Sequence, residues 1–191
     1  MLIADALITK QFWEPTFAHI QHCFEFGNYF KMHGRNVYTM EWRGMWLFVA
    51  ATVENPDDVE VHGWLLLDKP KPSWECWEVM QSFVFTVCRG QGYGHLLYDA
   101  VIRSGLILAS GTQQTAAARR MWMKLAQNEK YHVWAHDFED LKIYEPVIYD
   151  AEKDELWFNL PLYEKDRTKL PGNYHGKPTL RDIRLVAIKR A

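Results

Sequence analysis

Two hydrophobic periods follow one another along the chain and predict an α/β protein. In residues 14–26 the apolar side chains recur every three or four positions, as they do on one face of an amphipathic helix. Residues 44–55 and 58–68 are instead rich in β-branched and aromatic side chains, and polar turn residues lie between the two runs. These two runs therefore predict an antiparallel hairpin after the N-terminal helix.

Strands and helices alternate in the second half of the pattern. A further strand is expected over residues 74–88, and an apolar stripe with helical spacing predicts a helix that begins at about Tyr93. A short buried strand (106–109), a second helix (116–128) and two more strands (131–138 and 154–163) are expected to follow. We expect this order to form a single domain over residues 1–191.

Composition narrows the class of protein. Of the 191 residues, 48% are hydrophobic and 15% are aromatic, which excludes disordered and collagen-like chains. The longest apolar stretch, Met45–Val53, is about half of the ~20 residues that a membrane-spanning helix needs. Cys23, Cys76 and Cys88 lack C-x-x-C spacing, which argues against a disulfide framework or a cysteine zinc site. We expect a cytoplasmic protein with no metal and no membrane contact.

The charge is unevenly distributed. Residues 165–191 carry a net charge of +6, whereas residues 1–164 carry −8. Ile183, Leu185 and Ala187 lie two positions apart with basic Arg184 between the first two, and we take this as a half-buried edge strand docked on the acidic body. Two alternatives stay open for this tail, namely binding of phosphate groups and binding of nucleic acid.

The segment Val84–Gly94 carries the most chemical information. It runs from the strand into the helix at Tyr93, so the amides of Gly90–Gly94 lack helical partners and need an acceptor. Glycine permits positive φ and close approach of a ligand, and a helix N-terminus favours anions. The glycine spacing is neither that of the dinucleotide fingerprint nor that of a P-loop. The segment therefore predicts a pyrophosphate-binding site that is neither a dinucleotide site of that type nor a P-loop.

The sequence of this loop matches the pattern Arg/Gln-x-x-Gly-x-Gly/Ala. The residues concerned are Arg89, Gly90, Gln91, Gly92, Tyr93 and Gly94. With the strand before it and the strand and helix after it, the chain over roughly residues 44–136 resembles the GNAT superfamily of acyl-CoA-dependent N-acetyltransferases, in which this motif holds the pyrophosphate of coenzyme A. The resemblance implies an α/β fold with a mixed, mostly antiparallel sheet, flanked by helices and splayed at the central strand.

The resemblance also implies positions for the rest of acetyl-CoA. The pantetheine arm would bond to the backbone of Val84, Phe85 and Thr86. Thr115 would cap the second helix beside the arm, and Trp122 would lie near the acetyl group. The family usually has Asn and Tyr at the positions of Thr115 and Trp122, and the Tyr protonates the departing thiolate. An indole N–H cannot act as that acid.

Acid and base must therefore come from other residues. Tyr131 or Tyr98 would act as the acid, or the thiolate would leave unassisted. A base is needed because the acceptor amine must lose a proton, and some family members place a glutamate early in the central strand. Glu75 and Glu78 lie on opposite faces of that strand, and we favour Glu78 because it shares a face with Val84.

The resemblance thus implies an N-acetyltransferase that moves an acetyl group from acetyl-CoA to a primary amine by direct attack in a ternary complex. One alternative is a GNAT-like protein that binds coenzyme A or a partner with little or no catalysis, because the usual Tyr is missing. A second alternative is a nucleic-acid-associated module that uses the basic tail. The amine acceptor, small or macromolecular, and the oligomeric state stay open.

Overall fold

A computed structural model describes most of the chain from residue 27 onwards. The described residues are 27–42, 44–55, 58–69, 73–111, 115–138, 141–144, 147–150, 155–159, 167–169 and 183–190. The helix expected over residues 14–26 lies outside them. The chain divides into two compact units, the first formed by Met1–Pro70 with Val79–Val101 and the second by Lys71–Glu78 with Ile102–Ala191. The prediction of one domain stays a prediction.

The described residues contain strands, two α-helices and a short 3-10 turn. The strands are β1 (Asn28–Met32), β2 (Arg35–Trp42), β3 (Met45–Asn55), β4 (Asp58–Asp68), β5 (Cys76–Val84), β6 (Ile107–Ala109), β7 (Tyr131–Asp137), β8 (Lys142–Tyr144), β9 (Val147–Asp150), β10 (Glu155–Asn159), β11 (Arg167–Lys169) and β12 (Ile183–Lys189). The helices are α1 (Tyr93–Arg103) and α2 (Ala116–Gln127), and the 3-10 turn is Thr86–Cys88.

The strands of the first unit hydrogen-bond in the order β1-β2-β3-β4-β5. β1 and β2 are antiparallel and are joined by His33 and Gly34, which both have positive φ, as a tight two-residue hairpin turn requires. β3 and β4 pair antiparallel over the full length predicted for the hairpin. Trp64 of β4 is buried in the hydrophobic core of this unit and stacks on Phe83 of β5. The predicted hairpin is confirmed, whereas the hairpin β1–β2 was not predicted.

In the second unit the first residues of β5 pair in parallel with β6, and β12 and β7 continue the sheet. The parallel pairing joins Cys76–Glu78 to Ile107–Ala109 and stops there, although β5 continues to Val84. β12 is antiparallel to both of its neighbours, β6 and β7. The sheet of this unit ends with β8, and β9, β10 and β11 form a separate three-stranded sheet.

The expectation that the tail forms an edge strand is wrong, because β12 lies between two strands. Leu185, Val186 and Ala187 are all buried, and so is Arg184. The error has a physical cause. Arg184 is accommodated inside by an ion pair with Glu78 and by the ring of Trp74, 5.0 Å from its guanidinium carbon, so a basic residue here does not mark a solvent face.

The fold class agrees with the sequence prediction. The strands form a mixed, mostly antiparallel sheet with a parallel pair at β5 and β6, and helices α1 and α2 follow the strands expected to precede them. The stripe predicted for α1 is buried, with Leu97, Ala100 and Val101 fully so. The α/β architecture expected from the resemblance is therefore confirmed.

Candidate functional site

The junction between β5 and α1 carries a row of backbone donors. The 3-10 turn ends at Cys88, and the amide of Gln91 donates back to the Cys88 carbonyl oxygen at 3.3 Å. Within the described part of the chain, the amides of four loop residues donate to no backbone oxygen; these are Gly90, Gly92, Tyr93 and Gly94. Helical bonding begins where Leu96 donates to the Gly92 carbonyl oxygen. The loop therefore offers donors to an acceptor from outside the chain.

Two glycines of this loop are required by backbone conformation. Gly90 has a φ of +80° and Gly92 a φ of +86°, values that L-residues with a side chain rarely adopt. A Cβ at Gly90 would meet nothing within 4 Å, and one at Gly92 would meet only Nη1 of Arg35 at 3.8 Å. Close packing thus does not explain these glycines, and both residues are exposed. The loop can bring its amides into contact with a ligand.

Arg35 places a cation at this loop and was not identified from the sequence. Its Nη1 donates to the carbonyl oxygen of Gln91 at 2.6 Å, and its guanidinium carbon lies 4.3 Å from the centroid of the Tyr93 ring. Arg89, within the motif, is exposed and donates from Nε to the Val84 carbonyl oxygen at 3.3 Å. Two guanidinium groups and the N-terminus of α1 therefore favour an anion here. Only a three-dimensional contact links Arg35 to the loop.

His62 of β4 supports the loop from inside the first unit. Its ring stacks on Tyr93 with centroids 4.4 Å apart. Its Nδ1 lies 3.6 Å from Sγ of Cys88, and its Nε2 lies 2.9 Å from Oγ1 of Thr52. Burial lowers the pKa of His62; the nearby Arg35 cation lowers it further, whereas Glu60 raises it. His62 is therefore neutral at pH 7.

The cysteine beside His62 is not an activated nucleophile. Burial raises the pKa of the Cys88 thiol, and the negative charge of Glu60 raises it further. A neutral thiol next to a neutral imidazole lacks the charge separation that makes a reactive thiolate. The contacts among Cys88, His62 and Tyr93 thus serve to hold the 3-10 turn against the start of α1.

The backbone groups predicted to bind a pantetheine arm have partners inside the protein. The amide of Phe85 donates to the His62 carbonyl oxygen at 3.0 Å, and the Phe85 carbonyl oxygen accepts from the Cys88 amide at 2.9 Å. The Thr86 carbonyl oxygen accepts from the Arg89 amide at 3.2 Å. A carbonyl oxygen can accept a second hydrogen bond, but an amide cannot donate fully twice. An arm bound here would therefore use the carbonyl oxygens or displace the Phe85–His62 bond.

The other predicted site residues belong to the second unit, where each has a structural contact. Glu78 is 13% exposed and forms an ion pair with Arg184. Trp122 is 1% exposed and Tyr131 is 3% exposed, as in a hydrophobic core. Thr115 is the N-cap of α2, and its hydroxyl accepts from the Ala118 amide at 3.1 Å. The predicted capping is confirmed, and the ligand contacts of these residues stay predictions.

Tyr98, the alternative acid, is fully buried in α1 of the first unit. Burial raises the pKa of Tyr98 to about 12, although a hydrogen bond with Ser82 acts in the opposite direction. Its hydroxyl therefore stays protonated, but it has no surface from which to reach a substrate.

Comparisons with known proteins find little similarity. No protein-family model matches the chain, and no curated protein does. A search of solved structures finds a chain described as "IAA acetyltransferase from Bacillus cereus ATCC 14579", with 16% sequence identity and a TM-score of 0.38. The alignment covers 78% of this chain and 79% of that chain. A likeness at this level does not decide the function.

The described residues show no features of two other kinds of site. They contain no helix long and apolar enough to cross a membrane. They also contain no group of three or more His, Cys, Asp or Glu side chains placed to hold a metal ion. His19, His22 and Cys23 lie outside them.

Proposed function

We propose that this protein is an N-acetyltransferase that binds acetyl-CoA through the loop Arg89–Gly94 and transfers its acetyl group to a primary amine. One observation carries the proposal: the amides of Gly90, Gly92, Tyr93 and Gly94 have no backbone partner in the described part of the chain, at a junction where a strand ends and a helix begins. A diphosphate supplies acceptors for several of these amides at once. Such charge-assisted bonds contribute about 1.5–3 kcal/mol each, more than the helix dipole alone.

The surrounding charges favour the same ligand. Arg89 and Arg35 lie at the loop, and their guanidinium groups donate to the carbonyl oxygens of Val84 and Gln91 respectively. A guanidinium group has five N–H donors, so Arg89 keeps donors for phosphate oxygens, and Arg35 adds positive charge beside the loop. The loop thus combines backbone donors with the cation of Arg89 and the nearby charge of Arg35, an arrangement that favours a pyrophosphate.

The proposed reaction needs one attack and two proton movements. The lone pair of the acceptor nitrogen forms a bond to the thioester carbonyl carbon, and the carbon–sulfur bond then breaks with its electron pair on sulfur. The nitrogen gives up a proton to a base, for which we propose Glu78. The thiolate takes up a proton from an acid, for which we propose Tyr131. Thr115 and Trp122 are proposed to line the arm and the acetyl end.

The contacts of Glu78 and Tyr131 favour a second candidate, a protein that binds acetyl-CoA with little or no turnover. The ion pair with Arg184 occupies the carboxylate of Glu78, and Tyr131 is almost completely buried. Both features limit proton exchange with a bound amine. In this case the loop would bind acetyl-CoA as tightly as in an active acetyltransferase, but no free thiol would form.

Nucleic-acid binding by the tail has less support. Arg184 is buried and paired, so it offers no charge to a phosphate backbone, whereas Lys189 and Arg190 are exposed. Most of the tail's other basic residues lie outside the described residues. Binding to single-stranded DNA and its loss after removal of residues 189–191 would support this alternative.

Two measurements test the proposal and separate the first two candidates. Isothermal titration with acetyl-CoA tests the site, and NAD and ATP serve as controls because they carry phosphates without the pantetheine arm. Release of free thiol in the presence of a panel of amines, including a polyamine, an aminoglycoside and a lysine peptide, tests the chemistry. Binding with thiol release supports the acetyltransferase, and binding without it supports the non-catalytic protein. No binding of acetyl-CoA at millimolar concentration contradicts both.

A further inference from the structure

Arg35 connects the start of β2 to the glycine loop although 56 residues separate Arg35 from Gln91. It directly follows the His33–Gly34 turn, whose positive φ angles fix the direction in which β2 begins. Its Nη1 donates to the Gln91 carbonyl oxygen at 2.6 Å, and the same guanidinium group lies over the Tyr93 ring. Arg35 is thus held by one contact on each side of Gly92.

The hydrogen bond of Arg35 also fixes the next amide. In a trans peptide the C=O of one residue and the N–H of the following residue point in opposite directions. Because Arg35 holds the Gln91 carbonyl oxygen, the Gly92 N–H points away from Arg35. Gly92 can rotate easily, since it has no Cβ and already has a φ of +86°. If this peptide flipped, the loop would present a carbonyl oxygen where the bound anion needs a donor.

We propose that Arg35 is a positioning residue that locks the Gln91–Gly92 peptide so that the Gly92 N–H faces the bound diphosphate. This inference rests on the proposed function for its ligand, but the lock itself is a property of the ligand-free loop. Arg35 acts through the peptide and takes no part in the chemistry. The stacking of its guanidinium on Tyr93 holds it in place for this contact.

The test compares Arg35→Ala and Arg35→Lys with Lys31→Ala. Lys31 is an exposed residue of β1, so its replacement removes the same charge without touching the loop. In the ligand-free protein, the ¹H–¹⁵N signal of Gly92 should shift or broaden in Arg35→Ala, whereas Lys31→Ala should leave it unchanged. The affinity for acetyl-CoA in Arg35→Ala should fall about tenfold to a hundredfold, the range of a hydrogen bond to a charged group. Arg35→Lys keeps a donor and should recover part of the loss.

Three results would overturn the proposal. The first is an unchanged Gly92 signal in ligand-free Arg35→Ala, because the peptide would then be oriented without Arg35. The second is an affinity loss equal to that of Lys31→Ala, which would mean that only overall charge matters. The third is a changed Gly92 signal with unchanged affinity. If the wild-type protein binds no acetyl-CoA, the proposed function fails, but the Gly92 signal in the ligand-free variants still tests the lock.

Discussion

Replacing Gly92 should separate the backbone requirement of the loop from its ligand binding, and Gly105 provides a matched control. Gly92 has a φ of +86° and Gly105 a φ of +87°. A Cβ at Gly105 would meet nothing within 4 Å, and one at Gly92 would make an ordinary contact with Arg35 at 3.8 Å. Alanine therefore fits at both positions, and its cost is the dihedral strain alone, about 1–2 kcal/mol.

The expected stability loss is the same for both alanine variants. For a chain of this size, 1 kcal/mol changes Tm by about 2–4 °C, so Gly92→Ala and Gly105→Ala should each lower Tm by about 2–8 °C. Differential scanning fluorimetry without ligand measures this directly. A loss at Gly105 with none at Gly92 would mean that the loop does not hold the positive φ in solution.

Acetyl-CoA should distinguish the two positions. At a hundred times its Kd, one bound ligand adds about 2.7 kcal/mol, which raises Tm by about 5–10 °C. Gly105→Glu should keep this increment in full. Gly92→Glu should lose it, because the carboxylate lies among the amides that would hold the diphosphate, and Gly92→Ala should keep less than half. An undiminished increment in Gly92→Glu would remove the loop from the binding site and refute the reasoning.

Three further predictions concern stability. Gly63→Ala should destabilise the fold by about 1–3 kcal/mol in urea unfolding, because its Cβ would lie 2.5 Å from the Phe83 carbonyl oxygen; an unchanged midpoint would contradict this close approach. Since burial lowers the pKa of His62, the unfolded chain binds its proton more readily, so the free energy of unfolding should fall as the pH drops below about 6.5. His62→Gln should weaken this dependence between pH 8 and pH 5, and an equal dependence in the variant would assign it to other groups. Glu78→Gln should lower the free energy of unfolding by about 3–5 kcal/mol, because buried Arg184 loses the carboxylate with which it forms an ion pair. The double variant Glu78→Leu with Arg184→Met should restore most of this loss. If the double variant is as unstable as the single one, loss of the ion pair is not the cause.

The sequence predicts those parts of the fold that depend on neighbouring residues. The bounds expected for the hairpin strands, 44–55 and 58–68, agree with β3 and β4 to within one residue, and α1 begins at Tyr93 as expected. Alternation and helical spacing are short-range patterns, so they are visible without the tertiary structure. The amides of the glycine loop are predictable for the same reason, because a strand that ends and a helix that begins leave them unpaired.

The features of the fold that were not predicted depend on contacts between residues that are distant in sequence. β2 was not predicted because polar side chains interrupt its hydrophobic pattern, and the turn before it uses His33 with a φ of +50° instead of a second glycine. The interior position of β12 was missed because its basic residue suggested a solvent face. The spacing of hydrophobic positions along the chain does not indicate that Arg35 donates to Gln91 or that His62 contacts Cys88. Such contacts are set by the pairing of whole strands.

These distant contacts determine the shape of the candidate site. His62 contacts three successive parts of the junction, since its carbonyl oxygen accepts from Phe85 and its side chain touches Cys88 and Tyr93. Arg35 holds the loop at Gln91. Because two strands hold the loop through contacts within the protein, binding an anion need not first order this backbone, and that conformational cost is removed from the affinity. The glycines make the loop's conformation possible, but β2 and β4 select it.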